Sequence, residues 1–300
     1  MSDAAEHTPA VLAEIASQPD CWRRAAGIAA DTARALPTDG ERVAVVGCGT
    51  SWFMAQAYAA RREAAGKGVT DAFAASEMPL TRQYDRLIAI SRSGTTTEVL
   101  DLLHRLPPTL PSVLLTGIHD APMAPLAGDT VVLDFADERS VVQTRFATTA
   151  LALLRASLGE DLTAAADDAA TAIAEPLPLP VDGTEQVTFL GRGWTVGLAN
   201  EAALKCREAA TFWTESYPAM EYRHGPISIT GPNRATWLFG TAPDGLADEV
   251  ARTGGTFVES ALDPMADLVR AQRFAIAVAT HRGQDPDHPR HLTRSVILNG

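Results

Sequence analysis

Arg42-Val43-Ala44-Val45-Val46-Gly47-Cys48-Gly49-Thr50-Ser51 and Leu87-Ile88-Ala89-Ile90-Ser91-Arg92-Ser93-Gly94-Thr95-Thr96-Thr97-Glu98 share one layout. An uninterrupted apolar run is followed by small and hydroxyl residues, then by a segment with helical spacing. A short apolar run of this kind reads as a strand buried on both faces. Where such a strand turns into a helix, free backbone N–H groups converge and favour an anion. Serine and threonine add donors without bulk, and glycine lets the backbone approach closely. Two such turns on neighbouring strands predict a single phosphate held from two sides, by more hydroxyls than helix capping requires.

Working outward, the chain alternates strands and helices. Pro9–Leu36 has helical spacing, with Val11, Leu12, Ile15, Trp22, Ala25 and Ile28 on one face. Helices are expected to about Glu63 and Arg105 and over Val142–Leu158, with strands at Ser112–Leu115 and Thr130–Leu133. The prolines of 175–184 mark an extended linker. Beyond it the pattern restarts: strand Gln186–Leu190, turn Gly191-Arg192-Gly193, helix Val196–Trp213, strands Thr236–Phe239 and Thr256–Val258, helix Pro264–Thr280. The expectation is an α/β protein of two similar halves, each a parallel sheet with helices on both faces. The units are an N-terminal helical segment (1–40), a first domain (41–174), the linker (175–184) and a smaller second domain (185–300).

Composition narrows the function. A net charge of −12 over 300 residues argues against nucleic acid as a partner. No apolar run of the length needed to span a bilayer exists, so no membrane partner is expected. The acidic Met1–Glu6 start lacks a signal core, so the expected location is cytoplasmic. Cys21, Cys48 and Cys206 are odd in number and widely spaced, and they imply neither metal nor disulfide. No metal and no cofactor is called for. A dinucleotide fingerprint would need its third glycine at Trp52, and no Gly-Lys-Ser/Thr follows at phosphate-loop spacing.

The second half carries the ionisable groups. Glu201, Lys205 and Glu208 recur at i, i+4 and i+7, which puts them on one face of a helix otherwise rich in alanine and leucine. A solvated stripe with a stabilising Glu–Lys pair is the plain alternative. Arg223-His224-Gly225-Pro226 is a turn able to present an imidazole to a pocket.

Gly47–Ser51, Ser91–Thr96, Leu190–Gly193, Glu201–Lys205 with Glu208, Glu221–Pro226 and Asp287–Val296 together resemble the sugar isomerase (SIS) family, nearly end to end and in order. The similarity extends to the isomerase half of its glucosamine-6-phosphate synthase members and to stand-alone deaminase, isomerase and deglycase relatives. The resemblance implies two flavodoxin-like SIS subdomains and a homodimer in which His224 is contributed across the interface. It implies that Thr50, Ser51, Ser91, Ser93 and Thr96 hold the 6-phosphate of a sugar. Glu208 is then the base that moves the C2 proton, His224 the group that opens the ring, and Lys205 a support for both Glu208 and the substrate. Cys48, Gly49, Arg92, Val141, Val142, Glu201 and Arg294 complete the substrate pocket.

Two departures from the pattern matter. The chain starts Met-Ser, so no glutaminase domain with its N-terminal cysteine is expected, nor ammonia drawn from glutamine. At the C-terminus, Arg294 stands where the synthases carry a lysine that forms an imine with the sugar. A guanidinium stays protonated and is no amine nucleophile, so imine catalysis from this position is ruled out. Arg294 remains able to hold the phosphate or an oxyanion. The expected activity is C2 deprotonation of an amino-sugar 6-phosphate. Isomerisation, deamination and β-elimination of water are all compatible with that step. A phosphosugar-sensing protein without turnover is the alternative. Gln143 and Arg145 depart from the synthase pattern in the pocket loop and leave open whether C2 carries a free amine, an acetamide or a hydroxyl.

Overall fold

The structure is a computed structural model that describes residues 9–298; the acidic Met1–Glu6 stretch lies outside the described residues. The opening segment is three short helices, α1 (Ala10–Ala16), α2 (Gln18–Gly27) and α3 (Ala29–Thr32), and not one continuous helix. Pro19 sits in the first turn of α2, where its missing N–H costs nothing but a continuous helix would lose a bond. Val11, Ile15, Trp22 and Ala25 are buried as expected, whereas Leu12 is 38% exposed.

The first sheet follows as β1 (Val43–Gly47), α4 (Thr50–Ala64), β2 (Thr70–Ala74), β3 (Arg86–Ile90), α5 (Thr97–Arg105), β4 (Ser112–Thr116) and β5 (Asp129–Val132). Helices α6 (Arg145–Ser157) and α7 (Thr163–Ala174) lead towards the second sheet. That sheet comprises β6 (Gln186–Gly191), α8 (Thr195–Ala210), β7 (Thr214–Pro218), β8 (Arg234–Leu238), α9 (Leu246–Arg252) and β9 (Thr256–Val258), closed by α10 (Pro264–His281).

Every strand pairing is parallel. The orders are β2-β1-β3-β4-β5 and β7-β6-β8-β9, so both sheets follow the flavodoxin-like winding and both reverse direction beside their first strand. The α/β expectation of two parallel sheets is met. β1 is buried along its whole length, and the four C-terminal residues of β3 likewise. One apolar core runs through both sheets, joining Val45 and Ile88 of the first to Phe189 and Trp237 of the second and to Phe274 of α10.

The two halves meet where the first helix of one crosses the first helix of the other. A Cβ at Gly197 of α8 would lie 2.4 Å from the Phe53 carbonyl oxygen of α4, so only glycine permits this approach. Asn200 of α8 donates to Gln56 of α4 at 2.8 Å beside the crossing. This contact lays one face of α8 against the C-terminal edge of the first sheet.

Candidate functional site

In a doubly wound sheet, ligands bind beyond the carboxyl ends of the strands at the point where strand order reverses. In the first sheet that point lies between β1 and β3, and both hydroxyl-rich turns leave the sheet there. Gly49 takes φ +53° at the start of α4, and Gly94 takes φ +62° at the centre of the second turn. A Cβ on Gly94 would lie 2.4 Å from Ala121, so the turn needs glycine for conformation and for space.

A cavity of about 200 Å³ opens at this point. Cys48, Gly49, Thr50 and Thr96 form its floor, Val141 and Gln143 one wall, Lys205 and Glu208 of α8 another, and 291–296 its rim. Ser51, Ser91 and Ser93 belong to the same turns but are not among the residues that line the cavity. Ser91 Oγ is buried with no partner among the described residues. Thr95 Oγ1 is 2.9 Å from both Ser93 Oγ and Ser295 Oγ, so the C-terminal segment reaches the turn directly. Thr97 N–H also donates to the Val296 carbonyl at 3.1 Å. Burial and the nearby Glu98 carboxylate push the Cys48 thiol up to about 11, which keeps it protonated and non-nucleophilic at neutral pH.

Glu201, Lys205 and Glu208 do share one face of α8, and that face is not solvated. Glu201 and Lys205 are each 1% exposed. The Lys205 ammonium pairs with Glu208 and lies 3.5 Å from Glu201 Oε1. Burial pulls Lys205 down, but the two carboxylates outweigh it and hold the amine above its ordinary value. Burial pushes Glu201 up to about 8; Lys205 opposes that shift and Glu208 adds to it. Near neutral pH the face is therefore a protonated Glu201, a charged Lys205 and, at the cavity edge, Glu208. Glu201 sits behind Lys205 and does not line the cavity.

Three expectations about the pocket need correction. Arg92 is not a pocket residue. Its fully buried guanidinium points beneath the turn, donating to the Ser140 carbonyl at 3.0 Å and the Arg294 carbonyl at 3.0 Å, with Glu138 at 3.7 Å. It ties the second hydroxyl turn to the wall loop and to the C-terminal segment. Val142 faces the apolar core rather than the cavity. Its backbone precedes α6, which starts at Arg145 because the Glu138 carboxylate gathers the N–H groups of Thr144, Arg145 and Phe146. Arg294 does border the cavity, but its guanidinium is committed to the Asp137 carboxylate and the Glu138 carbonyl, so it does not serve as a free phosphate clamp.

His224 is not brought to this cavity within the chain. It is exposed at the end of the short 3₁₀ turn Glu221–His224, where Arg223 pairs with Glu249 at 2.7 Å. Glu14, Asp137 and Glu138 escaped the sequence analysis, and Asp287 was quoted only as the first residue of a motif, without a role. Glu14 accepts the Arg139 N–H at 2.6 Å, and Asp287 accepts the Ala10 and Val11 N–H groups at 2.6 and 2.9 Å. These long-range caps leave no local spacing signal. Ser295 was legible as the hydroxyl of the Asp287–Val296 motif and was overlooked. Among the described residues, no group of three or more metal-ligating side chains converges, and no helix is long and apolar enough to cross a membrane.

No family model matches the chain. Among curated proteins, it is 27% identical to a glutamine–fructose-6-phosphate aminotransferase (isomerizing) of Nostoc sp. over 88% of the chain and 53% of that protein. It is 25% identical to the enzyme of the same name from Streptococcus pyogenes over 96% of the chain and 58% of that protein. The chain thus spans about half the length of the curated relatives it matches. Among solved structures, a glucosamine-6-phosphate deaminase from Thermotoga maritima superposes with a TM-score of 0.79 at 24% identity, over 96% of this chain and 99% of that one. A tagatose-6-phosphate ketose/aldose isomerase from Escherichia coli gives 0.75 at 20% identity, over 95% and 100%. The fold is an α/β architecture of two like-wound parallel sheets. The chain is thus similar over most of its length to part of these aminotransferases, and its fold is that of the two solved structures.

Proposed function

We propose that this chain is an amino-sugar 6-phosphate isomerase/deaminase in which Glu208 removes the C2 proton. The observation that carries this is a carboxylate paired to a buried lysine, facing two hydroxyl turns across one small cavity. The names of the relatives, aminotransferase, deaminase and ketose/aldose isomerase, support a C1–C2 proton transfer on a hexose 6-phosphate.

The hydroxyl turns and the start of α4 take the phosphate, charge-assisted donors being the stronger ones. Lys205 pairs with Glu208 and holds it near the sugar. His224, supplied by a second copy, opens the ring to the aldehyde. Glu208 takes the proton from C2 and returns it to C1, converting a 2-amino aldose into a 2-imino ketose. Water then adds to the imine and ammonia leaves, giving a ketose 6-phosphate. A positioned base is worth about 10²–10⁴ in rate. Arg294 forms no imine and acts by holding the wall loop through Asp137.

The direct test is to incubate the protein with glucosamine 6-phosphate in deuterated buffer and follow it by proton NMR. The expected outcome is fructose 6-phosphate and ammonium, with deuterium at C1. Loss of water from C3 would show elimination instead. Thermal stabilisation by the sugar with no change in its spectrum would identify a sensor.

A further inference from the structure

We infer that Gln143 selects the C2 substituent of the sugar, favouring a small hydrogen-bonding group (amine or hydroxyl) over an acetamide. The inference rests on the proposed C2 chemistry and adds the group that reads that carbon. Gln143 lines the same cavity as Lys205 and Glu208, together with Thr50 and Thr96 of the hydroxyl turns. Its Oε1 is buried and has no hydrogen-bond partner among the described residues. A buried amide oxygen left unpaired costs free energy, so such groups are rare unless something else satisfies them. Swapping the ends of the amide leaves a buried, unpaired nitrogen in the same place, and the demand for a partner remains.

The neighbours leave few other candidates. Val141 beside it offers no side-chain donor, and its N–H donates to the Asp287 carbonyl at 3.2 Å. Arg145 is turned away, donating to the Asp137 carbonyl and to Ser17 Oγ. Lys205 is engaged by Glu208 and Glu201. A substrate seated with its phosphate in the turns and C2 beside Glu208 brings the C2 substituent to this wall. An N–H or O–H there satisfies the Gln143 oxygen.

Size points the same way. About 200 Å³ is below the 300–1,000 Å³ usual for small-molecule pockets, and the Gln143 side chain takes part of the wall. An acetamide adds three heavy atoms where that side chain stands, and its bulk displaces the amide oxygen from its partner.

The test compares the full chain with Gln143→Ala and Gln143→Glu on glucosamine 6-phosphate, glucose 6-phosphate and N-acetylglucosamine 6-phosphate, reading C2–H exchange and kcat/KM. Gln143→Ala is expected to lose about tenfold on the amine and hydroxyl sugars, as loss of one buried hydrogen bond does, and to gain on the acetamido sugar. Gln143→Glu keeps the acceptor and adds charge, and should shift preference towards the amine. Exchange of all three sugars with unchanged ratios in both variants overturns the inference and leaves the C2 chemistry standing. Absence of binding and exchange with every sugar, in wild type as well, overturns both.

Discussion

The two sheets are wound alike, yet their switch points are put to opposite uses. Between β1 and β3 the turns carry hydroxyls, open onto a cavity and leave Ser91 Oγ without a partner among the described residues. Between β6 and β8 the matching turn, Gly191-Arg192-Gly193-Trp194, is closed on itself. Thr195 Oγ1 accepts the Arg192 N–H at 2.8 Å and lies 2.9 Å from the Phe239 carbonyl. Trp194 is flanked by the guanidinium groups of Arg61 and Arg155, 4.9 and 5.0 Å from its ring. Arg155 also pairs with Asp263 at the start of α10. The winding supplies a crevice in each half, and the side chains decide whether it binds a ligand or docks the other half. The second half reaches the cavity through α8 instead, whose Lys205 and Glu208 line it.

Four substitutions probe that contrast. Arg92→Met should have the largest effect on stability. It strands Glu138 in the interior, and breaking a buried pair costs about 3–5 kcal/mol; chemical denaturation reads it, and a loss below 1 kcal/mol would show that the strut is dispensable. Ser91→Ala should weaken binding of a sugar 6-phosphate by about tenfold or more, the range of a hydrogen bond to a charged group, with little change in melting temperature. Thr195→Ala should do the reverse, costing about 1 kcal/mol of stability while titration calorimetry finds phosphate-ester affinity unchanged. Equal affinity losses from the last two would erase the difference between the turns.

A further effect concerns pH. Glu201 is raised from 4.5 to about 8 in the fold, so between those values the native state holds a proton that the unfolded chain releases. Stability should therefore fall as pH rises from about 4.5 to about 8, by at most about 1.4 kcal/mol per unit from this group, and flatten above. Lys205 and Glu208 face the same spot and temper the slope. Glu201→Gln should flatten the curve across that window; a slope unchanged by the substitution would place the ionisation elsewhere.

Much of this was legible in the residues. Continuous apolar runs disclosed β1, β3, β4 and β6, and hydroxyl-rich turns after two of them pointed to the place where the cavity opens. The i, i+4, i+7 spacing put Glu201, Lys205 and Glu208 on one face, as observed. β2 and β7 were missed because each is an edge strand: Thr-Asp-Ala-Phe-Ala and Thr-Glu-Ser-Tyr-Pro are only partly buried, so neither shows an apolar run. Missing β7 also overextended α8, which stops at Ala210 where Thr211 turns left-handed at φ +46°. α7 and α9 were overlooked for a related reason, being short and alanine-rich or polar rather than strongly two-faced. Arg92 was misplaced because an arginine inside a phosphate-type turn looks like a ligand, and only tertiary contacts reveal the buried carbonyls it serves. The bonds of Asp137 and Glu138 to Arg294 join residues some 156 positions apart, beyond any local pattern.

The central claim is a division of labour, in which the first half grips the phosphate and α8 of the second half moves the proton. Glu208→Gln tests it most directly, with deuterium incorporation at C2 of glucosamine 6-phosphate measured by proton NMR and affinity measured by calorimetry on the same sample. The account predicts exchange slowed by about 10²–10⁴ with affinity held within a few-fold of wild type. Exchange at the wild-type rate, or loss of binding along with exchange, would contradict it.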